Sequence, residues 1–143
     1  ICIRGKGYTL AWPREAGIRP YESGNGEMVE RMDYTPGGMV VNNPGGTGWF
    51  HMHRSVGEEP LRLMVYSGSP QGVGAQLLRP GDKDTSGNLP LEDGGRSITY
   101  FKEDPYIREE YKRMLSTEGV GFDMPDWVYD EHAPTDHLEV TGP

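Results

Sequence analysis

The sequence predicts an all-β barrel or sandwich followed by one C-terminal helix, and three observations lead there. Short apolar or alternating runs recur between dense turn signals. Glycine and proline supply 21 and 12 of the 143 residues, too many for long regular elements and without the three-residue period of collagen. A single stretch, 104–119, has apolar residues at helical spacing between a start and a stop signal. A chain of this length suits one domain with one core. We place residues 1–119 in the β domain with its helix, and read 120–143 as an acidic C-terminal arm.

The elements follow in order. Ile1-Cys2-Ile3 and Tyr8-Thr9-Leu10, joined by Arg4-Gly5-Lys6-Gly7, read as a first hairpin. Residues 13–26 hold prolines and glycines too closely spaced for a regular element, so they read as a loop. The run 27–34 alternates as a strand with Met28, Glu30, Met32 and Tyr34 in phase, and Pro36-Gly37-Gly38 turns it into Met39-Val40-Val41 as a second hairpin. Residues 44–48 form a turn into Trp49-Phe50-His51-Met52-His53, where Trp49, His51 and His53 share one face because strand side chains alternate. Residues 61–66 make a third strand; 71–96 read as a long excursion, and 97–101 as a returning strand. Asp104 then caps a helix that has Pro105 at its first position and Ile107, Tyr111, Met114 and Leu115 on its apolar stripe.

Composition narrows the functions. Apolar residues make up only 34% and the mean hydropathy is -0.68, which predicts long, wet loops, while the 10% aromatic share argues against disorder. With 22 acidic against 14 basic residues the net charge is -8, so no basic field attracts nucleic acid or an anionic membrane, and neither is expected as a partner. Cys2 is the only cysteine, which excludes an internal disulfide and a cysteine zinc cluster, fits a cytoplasmic setting and reads as a small buried hydrophobe. No stretch approaches a membrane-spanning length and no signal-like start is visible. Residues 44–48 resemble a phosphate loop only superficially, since no lysine follows. No serine, cysteine or threonine sits in a nucleophile-elbow setting.

The chemistry-bearing residues gather on one strand. His51 and His53, two residues apart on a strand, offer neutral nitrogen lone pairs to one cavity, and two ligands need a third, commonly a carboxylate. Glu58 and Glu59 lie just beyond the following turn, and Glu30 approaches from a neighbouring strand. The alternative is that the histidines are hydrogen-bonded structural residues. Trp49 beside them either stacks a substrate ring or belongs to the core. Arg54 and Arg62 either bind a substrate carboxylate or face solvent. His132 and His137, in the acidic arm, read as solvated.

Residues 36–44, then Gly48-Trp49-Phe50-His51, then Gly57-Glu58-Glu59-Pro60-Leu61 together resemble the second motif of the cupin superfamily: a glycine turn, a strand, a proline-glycine turn and an inward histidine. His51 falls on that motif's metal-binding histidine, and Ser55 stands where an asparagine is usual. Residues 1–9 look like the segment that closes the first motif, whose two histidines and glutamate would lie before Ile1, so the resemblance implies an N-terminally truncated cupin. The Trp-Phe-His-x-His form and the later Glu103-Asp104-Pro105 look like the gentisate-dioxygenase-like cupins. The likeness spans residues 1–115 and is most specific over 36–66.

The resemblance implies a double-stranded β-helix, or jelly-roll barrel, and a small-molecule cavity with a divalent ion, Fe2+ or Mn2+ ahead of Zn2+ or Ni2+. It implies a metal-dependent, dioxygenase-like oxidoreductase acting on a small, aromatic substrate. In that reading His51, His53 and Glu59 hold the metal, His51 and His53 serve catalysis, and Trp49 and Arg62 bind substrate. The alternatives are a non-catalytic cupin binding module or fragment, and a cupin isomerase or lyase acting on a sugar or small acid. Cupins commonly pair through their strands, so a homodimer is expected.

Overall fold

Residues 7–13 form the buried middle of the molecule. In the computed structural model, which describes residues 1–42, 48–65, 90–93 and 97–133, strand β2 (Gly7–Pro13) is buried along almost its whole length. It lies between β3 (Glu30–Asp33) and β4 (Trp49–Ser55), and is antiparallel to both. Tyr8, Leu10 and Trp12 stand opposite Arg54, Met52 and Phe50, whereas Thr9 and Ala11 stand opposite His53 and His51. Directly paired residues share a face, so the sheet has an aromatic and aliphatic side and a side floored by small residues.

The apolar side holds the core. Tyr8, Leu10, Trp12, Phe50 and Val56 pack with Ile107 and Leu115 of the helix α1 (Pro105–Thr117). Burying side chains of this size contributes about 1.5–3 kcal/mol each. The helix begins as its sequence dictates: Pro105 occupies the first turn, and the Asp104 carboxylate accepts the Tyr106 N–H at 2.9 Å. The same carboxylate, 1% exposed, also accepts the N–H groups of Tyr21 and Glu22 at 2.8 and 3.1 Å, docking the long loop onto the helix start. Arg19 reinforces this by donating to the carbonyls of Phe101 and Lys102. The helix stops before Gly119, whose φ of +71° is left-handed.

Strands β1 (Cys2–Arg4) and β5 (Arg62–Leu63) make a second, two-stranded antiparallel sheet. The β-rich architecture with one helix is as expected, and among the described residues the two sheets do not close into a barrel. Several local expectations are corrected. The first hairpin does not form: β1 pairs with β5, and β2 with β3 and β4. Gly5 lets the chain cross between sheets, at φ +89°, where a Cβ would lie 2.7 Å from Leu61 Cα and Pro60 O. Residues 39–41 are not a strand; instead the Gly37 N–H and Gly38 carbonyl bond to the backbone of Cys2. Residues 97–101 are not a strand either: Ser97 makes one bridge to Pro90, and Tyr100–Lys102 is a 3-10 turn. Cys2 is buried, as expected. Most of the predicted 71–96 excursion, residues 44–47 of the predicted turn and His137 lie outside the described residues.

Candidate functional site

Strand β4 positions the two histidines. Its alternation puts Trp49, His51 and His53 on the face opposite the core, beside the small residues Gly7, Thr9 and Ala11 of β2. Thr9 and Ala11 are fully buried, which makes them the floor of this face, with the histidines rising from its border. The His51 and His53 ring centres are 5.3 Å apart with their planes at 61°. Across the sheet, Glu30, Ala11 and His51 form one row, and Met32, Thr9 and His53 the next.

Tyr34 completes the arrangement. It directly follows β3, and its N–H donates to the Gly7 carbonyl at 2.8 Å, which keeps it in step with the histidine face. Its hydroxyl lies 2.6 Å from His53 Nδ1. Thr9, on the floor below, donates its own hydroxyl proton to the Met52 carbonyl at 2.8 Å. Burial pushes the Tyr34 phenol up from its ordinary value.

Both imidazoles are exposed at their outer edges, yet the sheet behind them strips away enough water to disfavour the charged form. Burial lowers the pKa of His51, and burial together with the neighbouring His51 lowers that of His53. Both are therefore neutral near pH 7, the state in which an imidazole offers a lone pair.

A cleft of about 660 Å³ runs along β4. Its walls are the apolar Trp12, Trp49, Phe50 and Ile98, and its polar groups include His51, His53, Arg54 and Glu103. Among the described residues β4 pairs only with β2, so this cleft follows the strand's other edge. The strand is braced from the core side. Arg54 forms a buried ion pair with Glu103, its guanidinium lies over the Tyr111 ring at 4.7 Å, and the Tyr111 hydroxyl donates to the Ser55 carbonyl at 2.9 Å. Arg108 approaches Glu103 at 3.7 Å and stacks on Tyr129 at the same distance, 3.7 Å. These contacts fix the far side of the histidine strand.

The structure brings His51, His53 and Trp49 together at the cleft, and separates Glu59 and Arg62 from it. Glu59 is ion-paired with Arg4 at 3.1 Å, and both are exposed. Arg62 is exposed on β5 opposite Arg4, while Arg54 is the arginine that lines the cleft. Exposed His132 lies in a turn of the acidic arm. Among the described residues, no group of three or more His, Cys, Asp or Glu side chains is gathered around one point as the side chains stand. Sequence reasoning missed Tyr34 and Thr9. The only signal was phase, because Tyr34 alternates with Glu30 and Met32, and phase alone does not say which strand lies next to β3.

No protein-family model, no curated protein and no solved structure matches the chain. No helix among the described residues is long and apolar enough to cross a membrane.

Proposed function

We propose that the β4 cleft is a small-molecule site at which His51 and His53 hold one divalent ion, and that the protein is a metal-dependent, dioxygenase-like oxidoreductase of the cupin kind acting on a small aromatic substrate. The observation that carries this reading is the placement of two neutral imidazoles on one strand face, 5.3 Å apart, at the border of a cleft. Two imidazoles sharing an ion at the usual nitrogen distance of about 2.1 Å hold their ring centres roughly 4.5–5.2 Å apart. The observed separation needs only a slight closing of the rings. A bound Fe2+ or Mn2+ would supply open coordination positions for substrate and dioxygen.

The protein's own residues do the rest. Trp49 and Phe50 offer flat apolar walls to a ring, and the ion pair of Arg54 with Glu103 holds the strand so that the two imidazoles keep their spacing. A third protein ligand is a carboxylate in this reading. Glu59, the residue that the sequence favours, is engaged by Arg4, whereas Glu30 stands in the same cross-strand row as His51 with only the methyl group of Ala11 between them. A carboxylate turned inward from Glu30 passes over the low floor that Ala11 provides. In this reading the face is the interior of a jelly roll.

The test is oxygen consumption by Fe2+-loaded protein with a panel of small aromatic acids, together with product analysis. Oxygen uptake that disappears in His51→Ala supports the proposal. Turnover of a sugar or small acid without oxygen would replace it with isomerase or lyase chemistry, and ligand binding without turnover would replace it with a binding module.

A further inference from the structure

We propose that residues 122–129 are a clasp on the far wall of the β4 cleft, and that Tyr129 is the positioning residue that keeps this wall closed against the strand. The inference rests on the reading of the cleft as a ligand site for its purpose only; the closed wall is a property of the protein alone.

The far wall is the stretch 97–103, which contributes Ser97, Ile98, Tyr100 and Glu103 to the cleft. Among the described residues no backbone ladder joins it to β4, whose strand partner is β2. A side-chain link crosses instead, the buried ion pair of Arg54 with Glu103. The base of the wall is fixed from the other side: Arg19 donates to the carbonyls of Phe101 and Lys102, and Asp104 caps the helix that follows. At the other end Ser97 bridges to Pro90, outside both sheets. A segment anchored at its base and held to the strand through side chains opens as a local unit once its outer contacts are released, because no ladder has to break.

The arm supplies those outer contacts. After α1 stops before Gly119 the chain doubles back along the helix: Phe122 meets Tyr111 edge-on with ring centres 6.0 Å apart, and the 3-10 turn Asp126–Tyr129 packs against the 3-10 turn Tyr100–Lys102. Tyr129 is the hub. Its ring meets the Tyr100 ring edge-on at 5.9 Å, stacks on Phe122 at 6.4 Å, and carries the Arg108 guanidinium over its face at 3.7 Å. Arg108 in turn approaches Glu103 at 3.7 Å. One ring therefore bears on the wall twice, directly through Tyr100 and indirectly through Arg108 and Glu103. The Tyr129 hydroxyl is buried without a hydrogen-bond partner among the described residues, so the ring face does the holding and the phenol oxygen does not.

Native-state hydrogen exchange of the full chain, read by NMR, follows the wall through the Lys102 and Glu103 amides, which bond to the carbonyls of Thr99 and Tyr100. In the wild type these amides should exchange faster than those of β2 and with a smaller urea dependence, the sign of an opening that leaves the sheet intact. Tyr129→Ala removes an aromatic pair and a cation–π contact, which should raise wall exchange about 5–50-fold if the opening breaks them. Tyr129→Phe keeps the ring and should exchange as the wild type does. Tyr129→Leu, which retains apolar bulk without a π face, carries the same expectation as Tyr129→Ala should that variant not fold. Wall amides that exchange together with β2, wall exchange unmoved in folded Tyr129→Ala or Tyr129→Leu, or Tyr129→Phe opening as far as Tyr129→Ala would each overturn the clasp. Co2+ titration separates the two proposals: the expected exchange pattern in a protein that binds no Co2+ keeps the clasp and removes the metal reading, and Co2+ binding with wall exchange unmoved in Tyr129→Ala does the reverse.

Discussion

Asp104 links the long 13–26 loop to the helix, and replacing it with serine isolates that link. Serine is as good a cap as aspartate, so the bond to the Tyr106 N–H survives the change. Its side chain is too short to reach the Tyr21 and Glu22 N–H groups, which now bond to Oδ2 at 2.8 and 3.1 Å. A hydrogen bond to a charged acceptor is worth about 1.5–3 kcal/mol when fully buried. Because both donors are only partly buried, we take the lower half of that range for each and expect Asp104→Ser to cost about 3–4.5 kcal/mol. In a domain of this size the melting temperature should fall by roughly 10–15 °C. Asp104→Ala should lose about 1 kcal/mol more, the value of the cap itself. Urea and thermal unfolding followed by circular dichroism give both numbers. If Asp104→Ser melts with the wild type while Asp104→Ala is about 1 kcal/mol weaker, Asp104 acts only as a cap and the loop is held by something else.

Three further outcomes follow from the same contacts. Arg54→Met strands the buried Glu103 carboxylate and should cost about 3–5 kcal/mol, whereas Arg54→Met with Glu103→Met removes both charges and should recover most of that loss; equal unfolding midpoints for the two would contradict a desolvated pair. His51 and His53 have folded pKa values below the ordinary 6.5, so between those values and 6.5 the unfolded chain binds more protons. Their contribution to stability is therefore complete above 6.5 and declines as the pH falls through the lowered values; the urea midpoint of metal-free protein should drop over that window more steeply than that of His51→Asn/His53→Asn, and parallel curves would contradict it. Finally, Glu30→Gln should weaken Co2+ binding about tenfold or more and Glu59→Gln should leave it unchanged, as read by the visible Co2+ spectrum; the reverse order would return the third ligand to Glu59.

The parts of the fold that were readable in advance are those set by neighbours in sequence. The alternation in 49–53 placed both histidines on one face, and the Asp104-Pro105 pair marked the helix start, because strand phase and helix capping are local. Strand pairing is not local. Residues 1–10 read as a hairpin because two extended runs flank glycines, yet each run found a better partner far along the chain: Cys2 faces Leu63, and Ala11 faces both Glu30 and His51. The candidate site divides in the same way. The histidines and Trp49 announced themselves through spacing, but the carboxylate nearest in sequence, Glu59, turned toward Arg4, and the groups that meet His53 came from β2 and from the end of β3. Only the order of strands in the sheet, β3-β2-β4, brings Tyr34, Thr9 and His53 together.

The central claim is that His51 and His53 act as one ligand pair, and Co2+ titration of the purified, chelator-treated protein tests it most directly. Wild-type protein should take up one equivalent with a visible ligand-field spectrum and nitrogen donors, each single alanine variant should bind far more weakly, and His51→Ala/His53→Ala, folded by circular dichroism, should give no such spectrum. Co2+ uptake by the double variant with the wild-type spectrum and affinity would place the ion elsewhere and leave the two imidazoles as structural side chains.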